Sequence, residues 1–246
     1  TRFITSYEYS NQGGYPYGLY NADKGTTEAV NYNNEGLYRR NLLTSGINIR
    51  YNGPHISFNS QTSYQYIQDK MGIDQDFSPR NIFYGQNKIR QHMYCQEFTV
   101  KSVNKSRYHW ITGAFVFRQT INRKVDLSRF TDTTRHLTNS GIPTQGIAFY
   151  HQSTLDLLQG LSCSVGLRYD YEHARCDFSK VQQPLNGNGE TKSLEQFNRS
   201  LHFGQFTPRF SMQYLSSHNQ LFYASVSKGY KAGGFNVSFL NNDDYL

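Results

Sequence analysis

The 246-residue sequence lacks long apolar runs, and this absence excludes one way of crossing a membrane. No window approaches eighteen consecutive apolar residues, the length from which a membrane-spanning helix is inferred. A transmembrane β-strand needs only about ten residues with every second one apolar, so a chain of such strands is hydrophilic on average. The sequence therefore excludes a transmembrane helix but leaves a membrane protein built from strands.

Cysteine is scarce as well. The chain has three, Cys95, Cys163 and Cys176, and their spacing fits no zinc or thioredoxin pattern. Cys163 lies in an alternating apolar run, which favours a small hydrophobic role. The alternative is a Cys163–Cys176 disulfide formed in an oxidising compartment.

Catalytic motifs are missing too. The chain contains no G-x-S-x-G, H-E-x-x-H, P-loop or G-x-G-x-x-G sequence, and no two of its eight histidines have metal-ligand spacing. His151, Ser153 and Asp156 are close in sequence, but polar positions that face the barrel lumen explain them more simply. We therefore expect no enzyme, no catalytic residue, no metal site and no cofactor.

The net charge is +7, yet the pattern of the charge does not indicate nucleic-acid binding. Basic residues are scattered, no cluster is longer than two, and no recognition helix is evident. A solvated surface, or loops that attract anionic ligands, accounts for the charge.

Aromatic residues are abundant, with 20 Tyr and 17 Phe. Period-2 alternation is clearest where Leu161, Cys163, Val165, Leu167, Tyr169 and Tyr171 alternate with Ser162, Ser164, Gly166, Arg168, Asp170 and Glu172. Such runs predict nine strands joined by connections that alternate long and short: long near 10–38, 67–88, 120–144 and 173–199, short near 52–54, 104–106, 157–160 and 216–219. Transmembrane barrels combine this asymmetry with aromatic girdles. We therefore predict an all-β, antiparallel up-and-down transmembrane β-barrel, present as an open partial barrel of about nine strands, with Thr1–Tyr9 and Leu221–Asn236 as its edges.

Three stretches resemble TonB-dependent outer-membrane receptors, the first of them the late barrel strands and the other two hairpins of that family. They are TPRFSMQY with LFYASVSKGYKAGGFN, the hairpin from Gln96 through HWITGAFVFRQ, and IAFYHQSTLDLLQGLSCSVGLRYDYE. The resemblance covers roughly Gln96–Asn236. It implies a bacterial outer-membrane barrel of about 22 strands with a plugged lumen, of which residues 1–246 are one part. We accordingly expect the plug domain and the remaining strands to lie outside this sequence.

The resemblance also implies a function and partners. Such a receptor imports a scarce nutrient such as a ferric siderophore, a small metal chelate, and is powered by the TonB complex acting on an N-terminal part. Outer-membrane lipid and lipopolysaccharide are further expected partners, and nucleic acid is not.

Candidate ligand contacts come from two regions. Arg123, Arg129 and Arg135 fall in the predicted loop 120–144, where guanidinium groups bind an anion bidentately; a solvated loop that faces the lipopolysaccharide layer is the alternative. Tyr230 and Lys231 lie at the predicted outer rim, where such residues also anchor strands at the interface. The family motif, interpreted as structural, comprises Lys228, Gly229, Tyr230, Lys231, Gly233, Gly234, Phe235 and Asn236.

Two other classes of protein stay open at this point. One is a soluble extracellular all-β binding or adhesion module, and the other is an outer-membrane barrel enzyme. A continuous outward apolar band about 25 Å tall favours the receptor over the module. A convergent Ser/His/acid cluster inside the wall favours the enzyme.

Overall fold

The computed structural model describes residues 1–103 and 106–237, and the chain in these ranges folds into β-strands. The strands are β1 (Arg2–Gly13), β2 (Tyr20–Asn21), β3 (Thr26–Thr27), β4 (Leu37–Asn52), β5 (Ile56–Asp74), β6 (Phe83–Ser102), β7 (Tyr108–Arg129), β8 (Thr134–Leu158), β9 (Leu161–Pro184), β10 (Lys192–Leu215) and β11 (Leu221–Ser227). Within these ranges the structure holds no helix whose length and apolarity would let it cross a membrane.

Nine of the strands form one antiparallel sheet in the order β1-β4-β5-β6-β7-β8-β9-β10-β11, while β2 and β3 form a small separate hairpin. Every strand of the large sheet pairs with its neighbour in sequence, apart from the β2–β3 hairpin inserted between β1 and β4. Because β1 and β11 pair on one side only, the sheet is open. The predicted up-and-down architecture of nine strands is thus confirmed, with β1 at one edge.

The other edge is shorter than predicted. β11 ends at Ser227, and residues 228–236 continue without strand structure. The amide of Lys228 still donates to the carbonyl of Pro208 at 3.0 Å, and the chain then leaves the ladder. The prediction of a strand through Asn236 was wrong because alternation stops at Ser227 and the glycine-rich motif follows.

Three of the four predicted long connections were also wrong. β5 and β6 are joined through residues 75–82, β7 and β8 through 130–133, and β9 and β10 through 185–191. The residues assigned to loops pair in continuous ladders instead. The extension of β9 does alternate, but its apolar residues Ala174, Cys176 and Phe178 lie on the inner face, so the phase of the alternation changes after Tyr171 and hides the continuation of the strand. Backbone pairing satisfies N–H and C=O groups on either phase. Among the connections within the described residues, only the segment 14–36 is long, and it contains the β2–β3 hairpin.

The strands are much longer than a bilayer requires. β8 has 25 residues and therefore spans about 80 Å, whereas about ten residues cross a membrane. The predicted short turns at the other end are confirmed at 53–55, at 159–160 and at 216–220. Asn104 and Lys105 of the fourth predicted turn lie outside the described residues.

The sheet has an outer face, which carries Val165, Leu167 and Tyr169, and an inner face, which carries Arg168, Asp170 and Glu172. On the outer face Val165 is 57% exposed and Leu167 is 50% exposed. On the inner face of the same strand Ala174 is 4% exposed, Cys176 is 0% exposed and the charged residues are half-buried. Exposed apolar side chains opposite half-buried charged ones are the reverse of a water-soluble sheet, and they fit a wall whose outer face contacts lipid.

Strand register carries this outer face across the sheet. Tyr169 lies opposite Phe149 on β8 and Phe206 on β10, and all three are exposed. Residues directly opposite each other share a face, so the apolar band is continuous between neighbouring strands. This band is the feature that separates a membrane wall from the soluble binding module.

The cysteines do not form the disulfide considered above. Cys163 and Cys176 are on the same strand, about 40 Å apart, and both are free thiols. Cys163 lies on the outer face opposite Leu155 and Met212, which agrees with its role as a small hydrophobe.

A matched pair of substitutions tests the assignment of the two faces. We expect Leu167→Arg, on the outer face, to lower the free energy of unfolding in lipid vesicles by about 2–4 kcal/mol, because an arginine is costly at the bilayer midplane. Gln61→Arg, on the inner face opposite Glu97, is expected to change it little. Denaturant unfolding of the complete receptor measures both values. Equal losses in the two variants would contradict the assignment.

Candidate functional site

The inner face concentrates hydrogen-bonding and charged side chains from several strands. Tyr150 of β8 donates its hydroxyl to Oε1 of Glu97 on β6 at 2.8 Å, and the hydroxyl is 2.9 Å from Oγ1 of Thr99. The Tyr150 ring reaches across β7 because Gly113 lies beneath it, and a Cβ at that glycine would be 2.4 Å from the ring. Glycine is therefore required at this close approach.

An ion pair extends this network along β9. Arg168 donates from Nε at 2.9 Å and from Nη2 at 2.7 Å to the Asp170 carboxylate. Its guanidinium carbon lies 5.9 Å from the centre of the Tyr150 ring, within the range of a cation–π contact. We name Glu97, Thr99, Tyr150, Arg168 and Asp170 the inner-wall network. This network joins β6, β8 and β9 through polar groups on the face that lines the lumen.

The glycine-rich motif lies against the same face. A Cβ at Gly233 would be 2.7 Å from the ring of Phe203, which is on the inner face of β10. Tyr230 lies within electrostatic range of Asp170 and Glu172. Lys231 is exposed beside Phe203 and Leu201. Residues 228–236 therefore turn from the sheet edge towards the lumen, and they do not prolong the sheet as the sequence suggested.

The three arginines predicted in a loop are on strands. Arg123 and Arg129 belong to β7 and Arg135 belongs to β8, because both strands extend into the region that was predicted to be a loop. Register places Arg123 and Arg129 on the inner face and Arg135, opposite Ser128, on the outer face. The structure therefore brings two of the three to one face and separates the third.

The contacts of the arginines differ accordingly. Arg123 donates from Nε to Oδ1 of Asn87 at 3.1 Å. Arg129 has Nη2 3.3 Å from Oδ2 of Asp132, and its guanidinium lies 5.8 Å from the centre of the Phe83 ring. Nε of Arg129 is buried and has no hydrogen-bond partner in the part of the chain that the structure describes. Arg135 binds both carboxylate oxygens of Asp126.

Sequence reasoning missed a set of aspartates at the rim. Asp74 ends β5 and is 2% exposed; its Oδ2 accepts from the amide of Asn34 at 3.1 Å. Its Oδ1 accepts from the amides of Asp76 and Phe77, each at 3.2 Å. Asp74 therefore fixes the 75–82 connection to the 14–36 segment. The two aspartates spaced by one residue before Ser-Pro were the available signal, since Asp side chains bond nearby backbone amides in turns.

Asp76 organises the rest of that connection. Its Oδ1 accepts from the Ser78 amide at 3.1 Å, and its Oδ2 accepts from the Phe83 amide at 2.9 Å. Burial by itself would raise the pKa of Asp76, but the hydrogen bonds from Ser78, Phe83 and Ile82 outweigh it and lower the pKa below its usual value. The carboxylate is thus held in its charged form.

Aromatic side chains cover the same rim. The rings of Tyr15 and Tyr17 stack at 5.8 Å, and the Phe77 ring meets Tyr17 edge-on at 5.0 Å. The Tyr15 hydroxyl lies 3.3 Å from the sulfur of Met71 on the inner face of β5. The long connection is therefore packed onto the wall.

No catalytic arrangement forms from the residues considered in the sequence. Nε2 of His151 is 3.0 Å from Oγ of Ser153, both on the outer face. Asp156 is on the inner face, 3.7 Å from Nε2 of His109. Within residues 1–103 and 106–237, no three His, Cys, Asp or Glu side chains form a group that could hold a metal ion.

A long-stranded antiparallel sheet with one exposed apolar face and one polar face is the wall of an outer-membrane β-barrel. The family model for the TonB-dependent receptor-like β-barrel matches residues 1–245, so the chain belongs to that family. The match extends the resemblance seen from Gln96 onwards to the start of the chain. Members are receptors and transporters of the bacterial outer membrane.

Three solved structures share the fold. The ferric yersiniabactin uptake receptor FyuA from Yersinia pestis is 15% identical with a TM-score of 0.80, covering 96% of this chain and 35% of its own. The ferric citrate transporter FecA is 13% identical with a TM-score of 0.64, covering 92% and 33%. The ferric-catecholate import receptor Fiu from E. coli K12 is 11% identical with a TM-score of 0.61, covering 92% and 44%. The chain thus spans less than half of each relative.

The lowered pKa of Asp76 predicts how the rim responds to acid. Because the folded pKa is below the unfolded value of about 3.9, the carboxylate stabilises the turn at every pH above that value, and this stabilisation is lost as the pH falls through the folded pKa. Hydrogen-exchange protection factors of the Ser78 and Phe83 amides in the complete receptor should stay level from pH 7 to about pH 4 and fall below it. Asp76→Asn should show low protection throughout. The same acid transition in Asp76→Asn would contradict the assignment.

Proposed function

We propose that this chain is one stretch of the barrel wall of a larger TonB-dependent receptor, with the plug domain and the remaining strands supplied by other parts of the protein. The open nine-stranded sheet and the 35%, 33% and 44% shares of the three related receptors support this proposal. A plugged barrel of this class has about 22 strands. The domain assignment of residues 1–246 follows from it.

The receptor that we propose takes up a small ferric chelate of the siderophore class. The three structural relatives are receptors or transporters for ferric yersiniabactin, ferric citrate and ferric catecholates. The observation that carries the proposal is the inversion of the wall, with apolar side chains outside and charged, hydrogen-bonding side chains inside. Such a wall separates a polar passage from lipid, and the passage is where a hydrophilic chelate is bound.

Two inward arginines are the contacts that we propose for an anionic chelate. Arg123 and Arg129 lie on the inner face of β7, at the end away from the short turns. The side chain of Arg129 is 38% exposed, and a guanidinium binds carboxylate or catecholate oxygens with defined geometry. We do not propose Arg135 as a contact to the chelate, because it is on the outer face and is already paired with Asp126.

Tyr230 and Lys231 are proposed as a second contact region. Their segment turns towards the inner face, where Tyr230 lies near Asp170 and Glu172. The hydroxyl and the ammonium group supply one acceptor and several donors beside the inner-wall network.

The proposed partners follow from the uptake mechanism. Transport needs the TonB complex, which would engage the N-terminal part of the complete receptor. On the outside the apolar band requires outer-membrane lipid, and we propose lipopolysaccharide as the lipid at the extracellular end of the wall.

Arg129 and Arg135 offer a matched test, since each has one aspartate partner and they lie on opposite faces. With the complete receptor, we expect Arg129→Gln to weaken binding of an anionic ferric chelate about tenfold or more, because a hydrogen bond to a charged group is lost. Arg135→Gln should leave binding within about twofold. Fluorescence quenching with ferric citrate, ferric catecholate and ferric hydroxamate measures the affinities. Absence of binding to every ferric chelate, or equal losses in both variants, would overturn the proposal.

A further inference from the structure

Four cations lie side by side on the outer face of the sheet, directly opposite one another on adjacent strands. Arg39 of β4 is opposite Lys70 of β5, Lys70 is opposite Lys88 of β6, and Lys88 is opposite Lys124 of β7. We name these four residues the cation row. With neighbouring strands about 4.8 Å apart, the row is about 14 Å long.

A row of like charges destabilises the sheet when no ligand is bound to it. Side chains directly opposite on an antiparallel pair have Cβ atoms about 5 Å apart, and like charges in these positions repel. Three successive pairs of the row are of this type. Arg90, two residues from Lys88 on the same face, adds a fifth positive charge.

The nearby carboxylates do not compensate this charge. Asp69 is next to Lys70 in sequence but lies on the inner face, where Arg40 binds it at 2.9 Å. Asp126 shares the outer face with Lys124, but both of its oxygens bind Arg135. Arg39 donates to the neutral Asn11 at 3.1 Å, and within the described residues no carboxylate pairs with Lys70, Lys88, Arg90 or Lys124.

The height of the row relative to the lipid band is defined by the same strands. On β5 the outward residues Tyr64 and Tyr66 close the apolar band, and Lys70 follows four residues after Tyr66. Four residues rise about 13 Å along a strand, or about 10 Å along the membrane normal at the usual tilt of transmembrane strands. Tyrosines of this kind mark the interface, so the row lies at the level of the lipid headgroups.

The side of the membrane follows from the connections. The row lies between the apolar band and the long ends of the strands, opposite the short turns. Short turns are periplasmic in such barrels and the long ends are extracellular. The lipid that meets the row is therefore the lipopolysaccharide of the outer leaflet, whose lipid portion carries phosphate groups.

We propose that the cation row, together with Arg90, is a binding site for the phosphate groups of lipopolysaccharide on the outer wall of the barrel. The residues line a groove of about 680 Å³ that also contains Asn41, Gln68, Ile89, Asn122 and Asp69, and the Asp69 carboxylate is bound by Arg40. Arginine contributes a planar fork and lysine a point charge, and the amides add hydrogen bonds to phosphate oxygens. Bound phosphates offset the repulsion within the row. The inference rests on the proposed outer-membrane receptor but not on the identity of its chelate.

The test uses the complete receptor, purified in detergent and freed of lipid. We compare the triple variant Lys70→Gln, Lys88→Gln, Lys124→Gln with a control triple, Lys24→Gln, Arg107→Gln, Lys192→Gln, which removes the same charge from turns and from the start of β10. Each cation near an anionic membrane surface contributes about fivefold in affinity, so the row variant should bind lipopolysaccharide roughly 100-fold more weakly. The control should stay within about twofold of the wild type, as measured by native mass spectrometry.

Three further measurements make the result decisive. Dephosphorylated lipopolysaccharide should bind wild type and row variant equally weakly, while ferric-chelate binding should be unchanged in the row variant. Thermal unfolding without lipid should not start at a lower temperature in the row variant, because repulsion has been removed. Equal lipopolysaccharide binding by wild type and row variant, or complete displacement by millimolar inorganic phosphate, would overturn the lipid site. Loss of chelate binding with lipopolysaccharide binding intact would instead count against the proposed uptake function.

Discussion

The structure depends on one constraint, the need to pair every backbone N–H and C=O group where no water is available. Antiparallel pairing of sequential strands meets it for every strand between β1 and β11, whereas these two edge strands are paired on one side only. The ladder does not depend on which side chains it carries, so it can run from an apolar membrane zone into a polar extracellular zone without interruption. The strands of 19 to 25 residues from β5 to β10 are the result.

Side-chain function follows from the two faces that such a ladder creates. The outward residues match what surrounds the wall. They are apolar in the band, aromatic at its border, and cationic between the band and the long ends of the strands. Inward residues are free to form the inner-wall network around Tyr150 and Arg168. At the rim, Asp74 and Asp76 hold the connections against the strand ends. One strand, β5, takes part in three of these environments, through Tyr66, Lys70 and Asp74.

The sequence allowed the strands within the membrane zone to be predicted, because there one face is apolar and alternation is visible, as in Leu161–Glu172. It did not allow their extensions to be predicted, because on β9 the alternation changes phase between Tyr171 on the outer face and Ala174 on the inner face, and on β7 it is interrupted by Arg123. The face of Arg135 could not be assigned without register. The Tyr150–Glu97 contact joins residues on strands that are not adjacent, and it depends on the absence of a side chain at Gly113. The cation row is likewise invisible in sequence, since its members are far apart in the chain.

Contact between the apolar face of β9 and lipid is tested most directly by spin labelling. In a complete receptor without Cys95, Cys163 and Cys176, a nitroxide placed in turn at each residue from 165 to 172 reports its surroundings in lipid vesicles. We predict high accessibility to oxygen and low accessibility to a water-soluble nickel chelate at 165, 167, 169 and 171, with the reverse at 166, 168, 170 and 172. A profile with no period of two residues, or with the opposite phase, would contradict the account.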